Sequence, residues 1–199
     1  MEQTHCMSKP SKADLRGLQR ELQVAQREQR LVRVVRRKSW EQHEGYIVGV
    51  SMQWCALQNV DAGLPDGLVL LRVRDVRRLE QPASHPRVAR TLAPWPPALP
   101  DLIDLHDVRS VLFTAGALAP VLAVPAEKVK PGVFWVGNVH RITHRYAEVQ
   151  DLKPSGRWRR RGWEHYPLAE ITRVHLGTAY LEAVASVAGP RPDIVPRSS

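Results

Sequence analysis

The sequence predicts a mainly β protein in which two small barrels follow each other along the chain. Three observations support this fold class: long stretches rich in β-branched and aromatic residues, a proline-rich break near the middle, and similar strand patterns on both sides of it. Helical patterns precede, separate and follow the strand regions. We expect an N-terminal tail and helix, a first barrel, a proline-rich and helical connector, a second barrel with a short C-terminal helix, and a disordered tail, over residues 1–30, 31–80, 81–118, 119–188 and 189–199.

The composition bears on the partners of the protein. Of its 199 residues, 43% are hydrophobic, which is enough for a packed core. The 29 lysines and arginines exceed the 20 acidic residues, and the resulting net charge of +9 favours polyanionic partners such as nucleic acid. A surface rich in arginine also follows from compositional bias of a genome, so the charge alone leaves both explanations open.

No segment indicates a membrane or an oxidising compartment. No apolar run approaches the roughly 18 residues that span a bilayer, and the polar N-terminus lacks the apolar stretch of a signal peptide. We therefore expect a cytoplasmic protein without membrane contact. Cys6 and Cys55 lie in unrelated contexts, so we expect a tail thiol and a small core residue, without a disulfide or a metal site.

The first helix is predicted over residues 11–30. Ser11 is a candidate N-cap, and Asp14 lies three residues later as in a capping box. An apolar stripe follows at spacings of three and four: Leu15, Leu18, Leu22 and Ala25. This stripe is narrow, which favours packing against a neighbouring domain or a second subunit.

Two shorter helices are predicted after the proline-rich segment. One covers residues 101–118, where Asp104 or Asp107 can cap the helix and Pro120 ends it. The other covers the segment TAYLEAVASVAG and ends at Gly189. The intervening segments return to strand composition.

A nine-residue pattern recurs in the two strand regions. Residues 71–79, LRVRDVRRL, match residues 166–174, YPLAEITRV, with apolar residues opposite apolar ones. The acids coincide, and a basic residue follows each at a spacing of three: Asp75 and Glu170, with Arg78 and Arg173. The alternation of apolar and polar residues breaks at the first acid, which predicts a bend or two short strands joined there.

A glycine in an early strand of each region extends this internal repeat. The segment GYIVGVS matches GVFWVGNV, so that Gly49 corresponds to Gly137. Such a glycine marks a sharp bend or a close approach of backbones, which small closed barrels require. The offset is 88 residues at the glycines but 95 between residues 71 and 166. We therefore expect about seven extra residues in the second unit, in the hairpin containing SGRWRRRG, which the barrel itself does not require.

Parts of the chain resemble known proteins. The segments PAEKVKPGVFWVGNVHRI and YPLAEITRVHLGTAYLEAV resemble an uncharacterised family of bacterial, especially actinobacterial, proteins, and the second unit resembles an Sm-like small barrel. The likeness covers roughly residues 30–80 and 120–185. An Sm-like fold implies RNA contacts through loops and ring formation through strand edges. The Arg-Gly-Asp/Asn loop of the second Sm motif is replaced by VRRLEQPA and ITRVHLGT, so only the barrel carries over.

No motif indicates catalysis, a metal or a cofactor. The patterns GxSxG, GxGxxG and HExxH and the P-loop are absent from the sequence. His140 and His144 lie in a predicted strand, whose rise separates them by roughly 13 Å, too far for a metal pair. We therefore expect a protein that is not an enzyme and has no cofactor. The recurring acid at Asp75 and Glu170 either accepts backbone hydrogen bonds and pairs with its arginine, or lines a polar ligand notch.

Two basic clusters are candidate nucleic-acid contacts. Arginine binds phosphate and stacks on bases, and tryptophan is a stacking platform for single strands. The clusters comprise Arg36, Arg37 and Lys38, next to Trp40, and Arg157, Trp158, Arg159, Arg160, Arg161 and Trp163. In the alternative interpretation, the tryptophans pack in the core and the arginines form a solvated loop.

Two functions of different classes follow from these features. The first is a non-catalytic module that binds single-stranded RNA or DNA, with RNA preferred, through the arginine–tryptophan loops. The alternative is a protein-interaction or scaffold module, which forms a homo-oligomer or docks a protein partner through barrel edges and the N-terminal helix.

Overall fold

The computed structural model describes residues 10–37, 42–82, 98–125, 134–153, 155–159 and 163–193. Four residues with predicted roles lie outside these ranges: Cys6, Lys38, Arg160 and Arg161. The helices of the described part are α1 (Lys12–Arg27), α2 (Val108–Leu118) and α3 (Ala179–Ala188). Its strands are β1 (Leu31–Arg36), β2 (Gln42–Val50), β3 (Trp54–Asp61), β4 (Leu64–Arg72), β5 (Val76–Glu80), β6 (Leu122–Pro125), β7 (Phe134–Ile142), β8 (Tyr146–Asp151), β9 (Glu164–Pro167) and β10 (Arg173–Leu176). Two 3-10 helices, Val73–Asp75 and Leu168–Glu170, follow β4 and β9.

All three predicted helices are present, although α2 begins at Val108 and not at residue 101, and their caps have local causes. The Ser11 hydroxyl accepts from the Asp14 N–H, and the Asp14 carboxylate accepts from the Ser11 N–H, which is the predicted capping box. Of the two candidate caps of α2, Asp107 is the one used. Helix α3 ends at Gly189, whose φ of 67° favours a residue without a side chain.

Helix α1 packs on the sheet of its own chain. Leu18, Leu22 and Ala25 are buried in an apolar cluster with residues of β1 to β5, among them the buried Cys55. This contact agrees with the expected packing against a neighbouring domain, because strands of residues 31–80 cover the apolar face of the helix.

The strands form one continuous antiparallel series. Their order is β5-β1-β2-β3-β4-β10-β6-β7-β8-β9. The mainly β prediction is thus confirmed, but two closed barrels are not observed: the sheet is open, with β5 at one end and β9 at the other. The halves meet where β4 pairs with β10, with Leu70 opposite Val174.

The two halves have the same strand order and the same registers. Strands β5-β1-β2-β3-β4 of the first half correspond in order to β10-β6-β7-β8-β9 of the second. In the fourth pairing of each series, Leu57 lies opposite Val69 and Val149 lies opposite Glu164. Leu57 and Val149 are 92 positions apart in the sequence, whereas Val69 and Glu164 are 95 positions apart. The register is therefore equivalent, and the second hairpin has three additional residues.

Gly137 has its structural counterpart in Gly45, not in Gly49. A Cβ on Gly45 would lie 2.0 Å from the Gln58 carbonyl oxygen, and one on Gly137 would lie 2.2 Å from that of Gln150. Each glycine also precedes a bulge by two residues. Gly49 instead lies against side chains of another segment. The expected excess of seven residues is therefore too large, because its first reference point was displaced by four positions.

The recurring acid ends a 3-10 helix in each half. The predicted pair of strands joined at Asp75 is confirmed by β4, the 3-10 helix and β5. Asp75 pairs with Arg72, at 2.5 Å from its Nε, and not with Arg78, which pairs with Glu80. The tight 3-10 turn places residues three apart on the same side, which accounts for this choice of partner.

The largest apolar cluster extends across the junction of the halves. It combines Trp54 and Leu70 of the first half with Leu112, Leu122 and Val174 of the second. Close packing of this kind makes the halves parts of one hydrophobic core.

Candidate functional site

The hairpin between β8 and β9 is closed by short-range backbone contacts. Leu152 and Trp158 form an isolated bridge, and the Lys153 N–H donates to the Arg157 carbonyl. The turn needs glycine at Gly156, whose φ is 72°. Its described residues are 152–153, 155–159 and 163.

Trp158 belongs to the core and has no face available for a base. It is 8% exposed and packs with Leu152 and Leu181, under helix α3. Its indole N–H donates to the Gly189 carbonyl over 3.2 Å. This burial fits the alternative in which the tryptophans pack in the core, and it gives the hairpin a part in folding, because the ring anchors α3.

Arg159 and Trp163 have partners within the protein. Arg159 forms ion pairs with Glu164 and, at 3.8 Å, with Asp151, while its carbonyl accepts a bond from Gln150. The Trp163 ring stacks on His140 with centroids 5.0 Å apart. Arg159 thus stabilises the base of the hairpin, and the Trp163 side chain is half-buried.

Among the described residues of the hairpin, Arg157 and Lys153 are exposed cations. Neither takes part in an ion pair within the described ranges. They face an open groove of about 1090 Å³ between the hairpin and the end of α3. Its lining comprises Lys153, Ser155, Gly156, Arg157, Trp158, Arg159, Val187, Ala188, Pro190 and Pro192. No acidic side chain is present in this set, so the groove combines a basic rim with an apolar wall.

The two described arginines of the first basic cluster are largely withdrawn from solvent. Arg36 is 5% exposed and donates to the Thr172 hydroxyl over 2.8 Å, and Arg37 is half-buried. A guanidinium enclosed in this way cannot reach a phosphate without leaving its site. Both residues are therefore poor candidates for the predicted contact.

A buried cluster of cationic and imidazole side chains lies where the halves meet. Arg173 is 1% exposed, contacts His43 over 2.9 Å, and stacks over the Phe134 ring. Because a guanidinium has only donors, His43 Nε2 accepts, and the proton of the neutral ring lies on Nδ1. The rings of His43 and His175 are 5.5 Å apart.

Both histidines are held neutral. Burial lowers the pKa of His43 to about 3, and the charges of Arg173 and Arg36 act in the same direction. Burial also lowers the pKa of His175 well below its ordinary value. Because the rings are neutral, they add no positive charge beside Arg173 and Arg36. Arg173 thus differs from its sequence counterpart Arg78, which is exposed.

Within the described ranges, no three His, Cys, Asp or Glu side chains are arranged to hold a metal ion. No helix in those ranges is long and apolar enough to cross a membrane. His140 lies on β7, whereas His144 lies in the turn after it.

Sequence reasoning missed two features of the groove. Lys153 was not singled out, and neither were Pro190 and Pro192, which looked like part of a loose tail. Only the contact between the hairpin and α3 brings them together. No family model, no curated protein sequence and no solved structure matches the chain in the comparisons with known proteins.

Proposed function

We propose that the protein is a non-catalytic module that binds single-stranded nucleic acid, RNA in preference to DNA, in the groove between the hairpin and α3. The observation that carries this proposal is the pair of exposed cations, Lys153 and Arg157, beside an apolar wall in a groove without acidic lining. Residues Arg160 and Arg161 continue the same basic segment in the sequence.

The charges of the groove favour a phosphate backbone. An exposed lysine or arginine without an acidic neighbour releases bound counterions when it meets a phosphate, and this release drives binding at low salt. Arg159 is already neutralised by Asp151 and Glu164, so Lys153 and Arg157 are the described side chains that contribute most. The net charge of +9 adds long-range attraction.

The apolar wall suits bases that are not paired. Val187 is 78% exposed and lies next to Pro190 and Pro192. A duplex hides the faces of its bases, whereas a single strand can lay them on such a surface. RNA is the preferred ligand because recognition of RNA mainly uses unpaired segments with splayed bases.

The proposal is tested by fluorescence anisotropy with labelled 12-nucleotide uridine RNA, the matching DNA and a duplex, at low salt. We expect the RNA to bind most tightly. The double variant Lys153→Gln/Arg157→Gln should weaken RNA binding by roughly tenfold or more, because each charge-assisted contact contributes about 1–3 kcal/mol.

The matched control is Arg20→Gln/Arg27→Gln, which removes the same charge from the exposed face of α1. It should change affinity by less than about threefold, since screening limits the effect of distant charges. No binding by the natural chain, or equal losses in both double variants, would reject the groove as the site.

A second candidate function, self-association, is favoured by the β4–β10 junction. We propose here that the halves are two copies of one Sm-like small-barrel unit. The open edges β9 and β5 would then be equivalent to the edges that pair inside the chain. The internal register of Leu70 with Val174 would place His165 of one copy opposite Leu79 of another.

Two features of these edges disfavour self-association, so we place it after nucleic-acid binding. Pro167 takes the position of Arg72, whose N–H donates to the Thr172 carbonyl at the internal junction, so one bond would be lost. Glu80 would lie opposite Glu164, and like charges oppose pairing. Multi-angle light scattering at about 100 μM tests this candidate. Glu80→Lys should increase the measured mass if the register is right, and a single-chain mass for both proteins would rule it out.

A further inference from the structure

A second cleft lies at the junction of the halves, away from the hairpin groove. Its volume is about 450 Å³, within the range of roughly 300–1,000 Å³ that is usual for small-molecule sites. Both 3-10 helices contribute to its wall, as do α1, the start of α2 and the turns that follow β2 and β7. No acidic residue of the described part lines it.

Two arginines give this cleft its charge. Arg74 and Arg109 are exposed, and neither has an ion-pair partner among the residues that the structure describes. Arg109 also donates to the His144 carbonyl over 2.9 Å, which holds its guanidinium at the rim. Arg72 is different, because Asp75 neutralises it and its Nη1 donates to the Ala169 carbonyl. The uncompensated charge therefore comes from one arginine of each half.

Apolar side chains also line the cleft. Met52 is 73% exposed, and the amide of Gln19 donates to its sulfur over 3.0 Å and to the Ser51 carbonyl over 3.1 Å. Leu168 and Val108 are further apolar residues of the lining. A thioether is polarisable and packs well on flat aromatic rings. The cleft thus pairs a cationic rim with a surface for a planar ring.

We propose that this cleft binds a phosphomonoester of nucleotide size, with its phosphate on Arg74 and Arg109 and its base on Met52. Guanidinium groups match phosphate oxygens in geometry and charge. We choose a phosphomonoester because its two negative charges match the two arginines. The same chemistry occurs in a free nucleotide and at the 5′-phosphorylated end of a strand. The inference does not depend on the hairpin groove.

The proposal is tested by isothermal titration calorimetry on the full chain with AMP, with adenosine, and with 5′-phosphorylated and 5′-hydroxyl tetranucleotides. AMP should bind at least about tenfold more tightly than adenosine, because the charge-assisted contacts need the phosphate. Binding of the 5′-phosphorylated tetranucleotide with AMP-like affinity identifies a strand end as the source, whereas its exclusion identifies a free nucleotide.

Three variants locate the site. Arg74→Gln and Arg109→Gln should each weaken AMP binding by about tenfold or more. Gln53→Glu places an acid at an exposed position in the same lining without removing an arginine, and it should weaken AMP binding similarly. Thermal melts establish that each variant remains folded.

Arg20→Gln is the matched charge control, and Arg157→Gln separates this cleft from the hairpin groove. Both should leave AMP binding unchanged within about twofold, since neither side chain lines the cleft. The proposal is overturned if AMP does not bind, if AMP and adenosine bind equally, or if Arg20→Gln weakens AMP as much as Arg74→Gln. If AMP binds but no nucleic-acid strand does, the assignment of the cleft stands and only the proposed function is rejected.

Discussion

The hairpins β3–β4 and β8–β9 connect strands of equivalent register in different ways. The first turns through Ala62 and Gly63, and the buried Gln58 bonds to the Gly67 carbonyl over 2.9 Å. In the second, the equivalent Gln150 bonds to the Arg159 carbonyl over 2.9 Å and to the Pro192 carbonyl over 3.3 Å. The same buried amide thus closes a simple turn in one half, and joins a longer hairpin to the segment after α3 in the other.

This difference shows how one strand pattern can acquire a groove. The second hairpin is three residues longer than the first, and its Trp158 packs against helix α3. The cations next to that ring then face the end of the helix. The longer hairpin therefore contributes both to the packing of α3 and to the lining of the groove.

The substitution with the largest expected effect removes the contact between the second hairpin and α3. Trp158→Ala removes a buried ring and its bond to Gly189, so the free energy of unfolding should fall by about 3–5 kcal/mol. Urea denaturation followed by circular dichroism measures this loss. Trp163→Ala is the matched control, because its ring is only half-buried, and it should cost clearly less. Equal losses would contradict the assignment of Trp158 to the core.

The next effect tests the equivalence of Gly45 and Gly137. An added Cβ would overlap a carbonyl oxygen of the neighbouring strand in both cases, so Gly45→Ala and Gly137→Ala should each lower stability by about 2–3 kcal/mol. Differential scanning calorimetry gives the two losses side by side.

Two other glycines serve as references for that comparison. Gly49→Ala should cost less, because the nearest obstruction is the end of the flexible Leu99 side chain. Gly17→Ala in α1 meets nothing within 4 Å and should add up to about 1 kcal/mol of stability. A loss at Gly49 that matches the loss at Gly137, with little loss at Gly45, would restore the alignment of Gly49 with Gly137.

A smaller effect concerns the junction of the halves. His43 and His175 are neutral when folded but take up protons below pH about 6.5 when unfolded. The unfolded state then binds more protons, so stability should fall as the pH drops from about 6.5 towards 3, by up to about 1.4 kcal/mol per pH unit for each histidine.

Chemical denaturation at pH 7, 6 and 5 measures this dependence. In His43→Gln, the slope of the free energy of unfolding against pH should correspond to one proton fewer. The amide oxygen of the new side chain can accept a hydrogen bond from Arg173 but does not titrate. An unchanged slope in this variant would show that His43 is not the buried neutral group described above.

The features that the sequence predicted depend on neighbours in the chain. Ser11 and Asp14 cap α1 across three residues, and the break at Asp75 is visible in the alternation around it. Trp158 could not be assigned, because a tryptophan among arginines has the same sequence context whether a helix covers it or solvent does. Arg36 is buried by Thr172, a contact across 136 positions. The register that pairs Gly45 with Gly137 also needs the partner strands, since several glycines fit the local pattern.

The most direct test of the hairpin groove is the salt dependence of RNA binding. For single strands, the slope of log K against log salt is about −0.7 for each phosphate neutralised. Anisotropy titrations of the uridine 12-mer at several salt concentrations should therefore give a slope that is shallower by about 1.4 in Lys153→Gln/Arg157→Gln than in the natural chain. The control Arg20→Gln/Arg27→Gln should retain the natural slope. Identical slopes in all three proteins would show that the groove does not hold the phosphates.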